Sequence, residues 1–68
     1  MNYEYKEKEK KSGLCVSIRD RVENSLLEVE IKGKNVEIVT YVRNDKTTHF
    51  KMPLELFEQM YKKLMAGH

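Results

Sequence analysis

The chain has 68 residues, 40% of them hydrophobic, and 13 Lys and Arg residues against 11 Asp and Glu give it a formal net charge of +2. One small domain of this length buries only about 60% of the surface of its unfolded chain, so we expect self-association, with a homodimer as the simplest case. The single Cys15 excludes an internal disulfide. The charged first residues exclude a signal peptide, and the lack of a long apolar run excludes a membrane span. We therefore expect a cytoplasmic protein.

Residues 1–12 are predicted to be a charged, flexible tail. They contain Tyr3 and Tyr5 but no aliphatic side chain after Met1, and the charge alternates in sign from Lys6 onward before the segment ends in two lysines. Such a segment has no apolar side to pack against a core. The domain is therefore predicted to span residues 13–68.

Alternation of apolar and polar residues with a period of two predicts half-buried strands over residues 14–19, 26–32, 36–43 and 48–52. A two-residue loop at Gly33 and Lys34 would pair Ile31 with Val36 and keep apolar residues opposite one another. A three-residue loop over residues 44–46 would set Thr40 opposite Phe50, on the same face.

A helix is predicted after these strands. Pro53 suits the first helical position, and Gly67 suits the residue just past the end. One side of this helix carries an apolar stripe, the helix stripe: Leu54, Phe57, Met60, Tyr61 and Leu64. We expect the helix stripe to cover the sheet. The predicted fold is α+β: a four-stranded antiparallel β-meander with one face covered by a C-terminal α-helix.

The opposite face of the sheet carries the candidate binding residues. The predicted registers place Arg19, Leu26, Tyr41 and His49 in one row, and Ser17, Glu28, Val39 and Lys51 in the next. The candidates for nucleic-acid binding are Arg19, Tyr41, Arg43, His49 and Lys51. Bases can stack on Tyr41 or His49 while Arg and Lys side chains contact phosphates, a combination typical of single-strand binding. The acidic residues Glu28, Glu30 and Glu37 would repel phosphate at the other end of this face.

Two other interpretations fit the same pattern. Mixed charges on a sheet face are also typical of a solvated surface with cross-strand charge pairs. The exposed Leu26, Val39 and Tyr41 could instead form a patch through which a small regulator or inhibitor docks on a protein partner.

Catalysis is not expected. The chain has no phosphate-binding glycine loop, no paired-cysteine metal motif and no His-Glu-x-x-His motif, and His49 and His68 lack suitably spaced ligand partners. Cys15 and His49 are predicted to be separated by two intervening strands, too far to form a nucleophile and its base. Cys15 is predicted to be a small half-buried residue, with a redox-sensitive thiol as the alternative. We expect a binding protein with no metal and no cofactor.

The segment from Phe50 to Phe57 resembles the end of the positive-cofactor-four family of transcriptional coactivators. Phe50 and Met52 match two inward positions of that family's last strand, Phe57 matches the aromatic residue five positions later, and residues 16–20 resemble an early strand. Residues 47–49 stand where the family has a basic, glycine-containing segment. The resemblance implies a homodimer whose sheets bind single-stranded or melted DNA in transcription or replication. By position on the sheet, it implies roles for Arg19, Tyr41, Arg43 and Lys51.

Overall fold

The structure, a computed structural model, describes residues 2–67. Its elements in chain order are β1 (Tyr3–Lys10), β2 (Gly13–Asp20), β3 (Ser25–Lys32), β4 (Asn35–Val42), β5 (Asp45–Pro53) and α1 (Leu54–Ala66). The strands form one antiparallel sheet in the order β1-β2-β3-β4-β5. The α+β class is confirmed, but the sheet has five strands instead of the predicted four.

The additional strand is β1, which lies within the segment predicted to be a tail. It pairs with β2 along its whole length, from Tyr3 opposite Asp20 to Lys10 opposite Gly13. The ladder needs only backbone groups and an alternating pattern, so the lack of aliphatic side chains does not prevent a strand here. Charged side chains are common on edge strands because they discourage further strand addition.

The central hairpin has the predicted register. Val29 lies opposite Ile38, and Ile31 lies opposite Val36. Gly33 has a φ of +61°, the left-handed region that a tight two-residue loop requires and that glycine adopts at no steric cost.

The hairpin between β4 and β5 differs from the prediction. Its turn consists of Arg43 and Asn44, with φ of +52° and +71°, as in a two-residue turn with both central residues left-handed. Thr47 is an extra residue in β5, since the ladder shifts between Thr40 and Tyr41. The predicted three-residue loop is therefore wrong. The bulge nevertheless keeps the later residues of β5 on their predicted face, displaced by one row.

The two faces of the sheet differ in chemistry. The apolar face carries, by register, Tyr3, Tyr5, Leu14, Val16, Ile18, Leu27, Val29, Ile31, Val36, Ile38, Val42, Phe50 and Met52. Val36 is fully buried, and Cys15, on the opposite face, is 6% exposed. These are the only two buried hydrophobic residues among those described, so the chain's own core is small.

Helix α1 begins one residue later than predicted. Pro53 has an extended conformation and precedes the first helical residue, while Gly67 follows the last one as predicted. The Leu54 amide donates a hydrogen bond to the Lys34 carbonyl at 2.8 Å, which ties the start of the helix to the β3–β4 turn.

The helix covers only part of the sheet. It packs against β4 and β5, and none of its described residues is buried. Along the helix stripe, Leu54 and Phe57 are half-buried, whereas Tyr61 and Leu64 are 57% and 65% exposed. The prediction that α1 closes one whole face is therefore wrong. Within residues 2–67, no helix is long and apolar enough to cross a membrane.

Candidate nucleic-acid interface

The candidate site is the second face of the sheet, here called the polar face. Its members by register are Glu4, Lys6, Lys8, Lys10, Cys15, Ser17, Arg19, Leu26, Glu28, Glu30, Lys32, Glu37, Val39, Tyr41, Lys46, His49 and Lys51. The alternation of side chains along each strand places them together, because a period of two sends every second residue to the same face.

Arg19, Leu26 and Tyr41 lie side by side on β2, β3 and β4, as the registers predict. They border a shallow depression of about 190 Å³, whose lining residues are Arg19, Asn24, Leu26, Glu28, Tyr41 and Asn44. Arg19 Nη1 lies 3.5 Å from Asn24 Oδ1, a weak contact between two residues that both line this depression. An aromatic ring, an aliphatic side chain and a cation therefore surround one space.

His49 and Lys51 lie on the polar face, but one row away from their predicted positions. His49 is opposite Val39 instead of Tyr41, and Lys51 is opposite Glu37. The turn and the bulge described above cause this displacement. Lys46 takes the place opposite Tyr41.

Arg43 does not lie on a strand. It occupies the β4–β5 turn with a positive φ, at the end of the sheet where Asn24 and Asn44 also lie. Its backbone amide donates to the Asn24 carbonyl at 2.9 Å, which holds the two turns together. Arg43 is exposed there, beside the row that contains Tyr41.

Two of the acidic residues of the polar face are paired with cations. Lys32 Nζ lies 2.5 Å from Glu37 Oε2, and His49 Nε2 lies 2.8 Å from Glu37 Oε1. Hydrogen bonds from Lys32 and His49 lower the pKa of Glu37 to about 2. Glu30 accepts hydrogen bonds from Ser12 Oγ at 2.9 Å and from Lys10 Nζ at 3.2 Å, which lower its pKa.

A third carboxylate, Glu4, is paired in the same way. Arg21 Nη2 lies 2.7 Å from Glu4 Oε2, and Lys6 Nζ lies 3.5 Å from Glu4 Oε1. The hydrogen bond from Arg21 lowers the pKa of Glu4. Exposed ion pairs of this kind add little stability. Their effect here is to balance negative charge that would otherwise repel phosphate.

Strand β1 adds basic residues that the sequence interpretation did not include in the site. Lys6 and Lys8 lie opposite Ser17 and Cys15, so they belong to the polar face. A second depression, of about 310 Å³, is lined by Lys6, Glu7, Lys8, Lys10, Cys15, Ser17 and Glu28. The signal for these lysines is present in the sequence, because strict alternation of Lys and Glu in a strand sends all the lysines to one face.

The polar face does not bring Cys15 and His49 together. Cys15 is buried, and two strands separate it from His49. No group of three His, Cys, Asp or Glu side chains within residues 2–67 is placed to hold a metal ion. What this face can do chemically is stack a planar ring, contact phosphate oxygens and bury a small apolar surface.

Comparisons with protein-family models, curated proteins and solved structures found no match to this chain. A functional assignment therefore depends on the geometry and chemistry of the polar face.

Proposed function

We propose that this protein binds single-stranded nucleic acid through the polar face, in a role of the transcription-coactivator or replication type, and that it acts as a homodimer. The observation that carries the proposal is the depression bordered by Arg19, Leu26 and Tyr41. It combines a ring for stacking, an apolar wall and a cation in one row of the sheet.

Stacking would supply the contact that distinguishes single strands from duplexes. In a duplex the bases are already stacked on one another, whereas a single strand can place a base on a protein ring. Tyr41 is half-buried in β4, so its ring is held by the sheet while one side stays accessible at the depression. Base stacking on an aromatic ring contributes about 1–3 kcal/mol per base.

Basic residues on both sides of this row would contact the phosphates. Lys6 and Lys8 lie on β1, while Lys46 and Lys51 lie on β5. Adjacent strands are about 4.8 Å apart, so these two groups are separated by about 19 Å across the sheet. That width suits about four nucleotides, the lower end of the range for single-strand-binding modules.

Pairing of the acidic side chains supports the same assignment. Glu4, Glu30 and Glu37 all lie within ion-pair distance of a lysine on the sheet. The negative charge of these three carboxylates is therefore balanced locally, and Lys8, Lys46 and Lys51 have no ion pair among the described residues.

The test is a fluorescence-anisotropy titration of a labelled single-stranded oligonucleotide with the full chain at low and moderate salt, with a duplex of the same sequence as the control. We expect binding that favours the single strand and weakens with salt, with a log–log slope of about −0.7 for each phosphate neutralised. Absence of binding at low salt would contradict the proposal. The polar face would then be better explained as a docking surface for a protein partner, which a pull-down could seek.

A further inference from the structure

The apolar face of the sheet is largely uncovered in the single chain. On it, Phe50 is 60% exposed, Tyr5 58% and Ile18 37%. Three further members of this face, Tyr3, Leu14 and Val42, are also exposed. Contiguous apolar patches of this kind are rare on monomeric proteins and mark interaction surfaces.

A second uncovered apolar surface lies on α1. Met60, Tyr61 and Leu64 of the helix stripe are 43%, 57% and 65% exposed. The helix packs against β4 and β5, but these three side chains of its later turns remain exposed. The molecule therefore has two unpartnered apolar elements, a sheet face and a helix side.

The accessible surface area of the single chain is larger than that expected for a compact monomer. The chain exposes 5771 Å². A compact monomer of 8.1 kDa is expected to expose about 4500 Å². A standard protein interface buries about 800 Å² on each partner, and obligate dimers bury more. The excess is therefore of the size that one dimer interface removes.

The radius of gyration is also larger than that expected for a compact chain. The radius of gyration is 13.0 Å. A compact chain of this length is expected to have about 11 Å. A second chain that filled the open side of the sheet would restore the packing that a stable core needs.

We propose that two copies of this chain form a two-fold homodimer in which the distal part of each helix stripe packs on the partner's apolar face. A two-fold interface requires a surface that is complementary to itself. This chain meets that requirement, because it carries both a flat apolar sheet and an apolar helix ridge. The inference gives a geometry to the homodimer of the proposed function; it concerns the face opposite to the nucleic-acid site and does not rest on nucleic-acid binding.

The first test is the mass of the full chain in solution, by sedimentation equilibrium and light scattering. We expect twice the 8.1 kDa chain mass at micromolar concentration. The variant Leu64→Glu places a charge in the proposed interface and should weaken dimerisation at least about 30-fold, as loss of an interface hot spot does. Val22→Glu is the matched control, because Val22 is an apolar residue with 69% exposure in a turn, and it should leave the dimer intact.

A monomeric wild-type chain would overturn the proposal, and so would a Leu64→Glu variant that dimerises as well as Val22→Glu. Should Leu64→Glu fail to fold, an isotope-filtered NOE experiment on mixed labelled and unlabelled wild-type chains decides the question. We expect contacts between copies from the Leu64 methyl groups to the Phe50 ring. Contacts confined to the backbone edges of β1 or β5 would contradict the proposed geometry.

Discussion

The variant Tyr41→Ala tests the stacking role of the polar face. It removes the one aromatic ring at the depression beside Arg19 and leaves every charge of the face in place. If one base stacks on this ring, its loss costs about 1–3 kcal/mol of binding free energy. The dissociation constant for a single-stranded oligonucleotide should then rise about 5- to 150-fold.

The assay is fluorescence anisotropy with wild type, Tyr41→Ala and Tyr41→Phe at several salt concentrations. Tyr41→Phe keeps the ring and should bind within about twofold of wild type. The salt slope should be the same for all three proteins, since none of the changes alters a phosphate contact. Circular dichroism establishes that the variants are folded. A folded Tyr41→Ala protein with unchanged affinity would refute the stacking argument.

Other predictions concern the charges of the polar face. Arg19→Ala should reduce the salt slope by about 0.7, the value for one phosphate contact on a single strand; an unchanged slope would place Arg19 outside the phosphate path. Glu37→Gln should tighten oligonucleotide binding roughly fivefold, the size of one screened charge contact, because it removes a negative charge from the face and releases Lys32. Glu58→Gln, on the exposed side of α1, is its control and should change nothing. The pKa of Glu37 lies at about 2, below its ordinary 4.5, so the small stabilisation from its ion pairs should be fully present above pH 4.5 and should be lost as the pH falls toward 2. Carboxyl NMR titration measures this pKa. If the free energy of unfolding of Glu37→Gln depends on pH to the same extent as that of wild type, the assignment is contradicted.

Much of the sheet can be predicted from the sequence, because its central strands alternate strictly. Leu27, Val29 and Ile31 can only share a face in a strand, and Gly33 marks a turn whose backbone few other residues adopt. The face of each candidate site residue on a strand follows directly from this alternation.

The last strand shows where sequence reasoning fails. The alternation favours a three-residue loop over residues 44–46, because a two-residue loop of Asn44 and Asp45 would move Phe50 to the other face, and it does not indicate a bulge at Thr47. A two-residue turn followed by one bulge residue leaves the later side chains on the same faces as a three-residue loop does, so the hydrophobic pattern does not distinguish the two arrangements. The alternation therefore predicts the correct face for His49 and Lys51 but the wrong rows.

The outer elements depend on contacts that the sequence does not display. Strand β1 has no aliphatic side chains, and a charged segment forms a strand there because β2 offers an unpaired edge. The helix stripe has the period that packing against another surface requires. The period does not indicate whether that surface belongs to the same chain or to another one. Tyr61 and Leu64 illustrate this, since they follow the pattern and are nevertheless exposed.

The most direct test of the central claim is methyl NMR of the full chain during titration with a single-stranded oligonucleotide. Leu26 and Val39 lie on the polar face, while Leu27 and Ile38 lie on the apolar face of the same two strands. We predict that the methyl signals of Leu26 and Val39 shift on binding and that those of Leu27 and Ile38 do not. Binding that shifts only Leu27 and Ile38, or none of the four, would contradict a nucleic-acid site on the polar face.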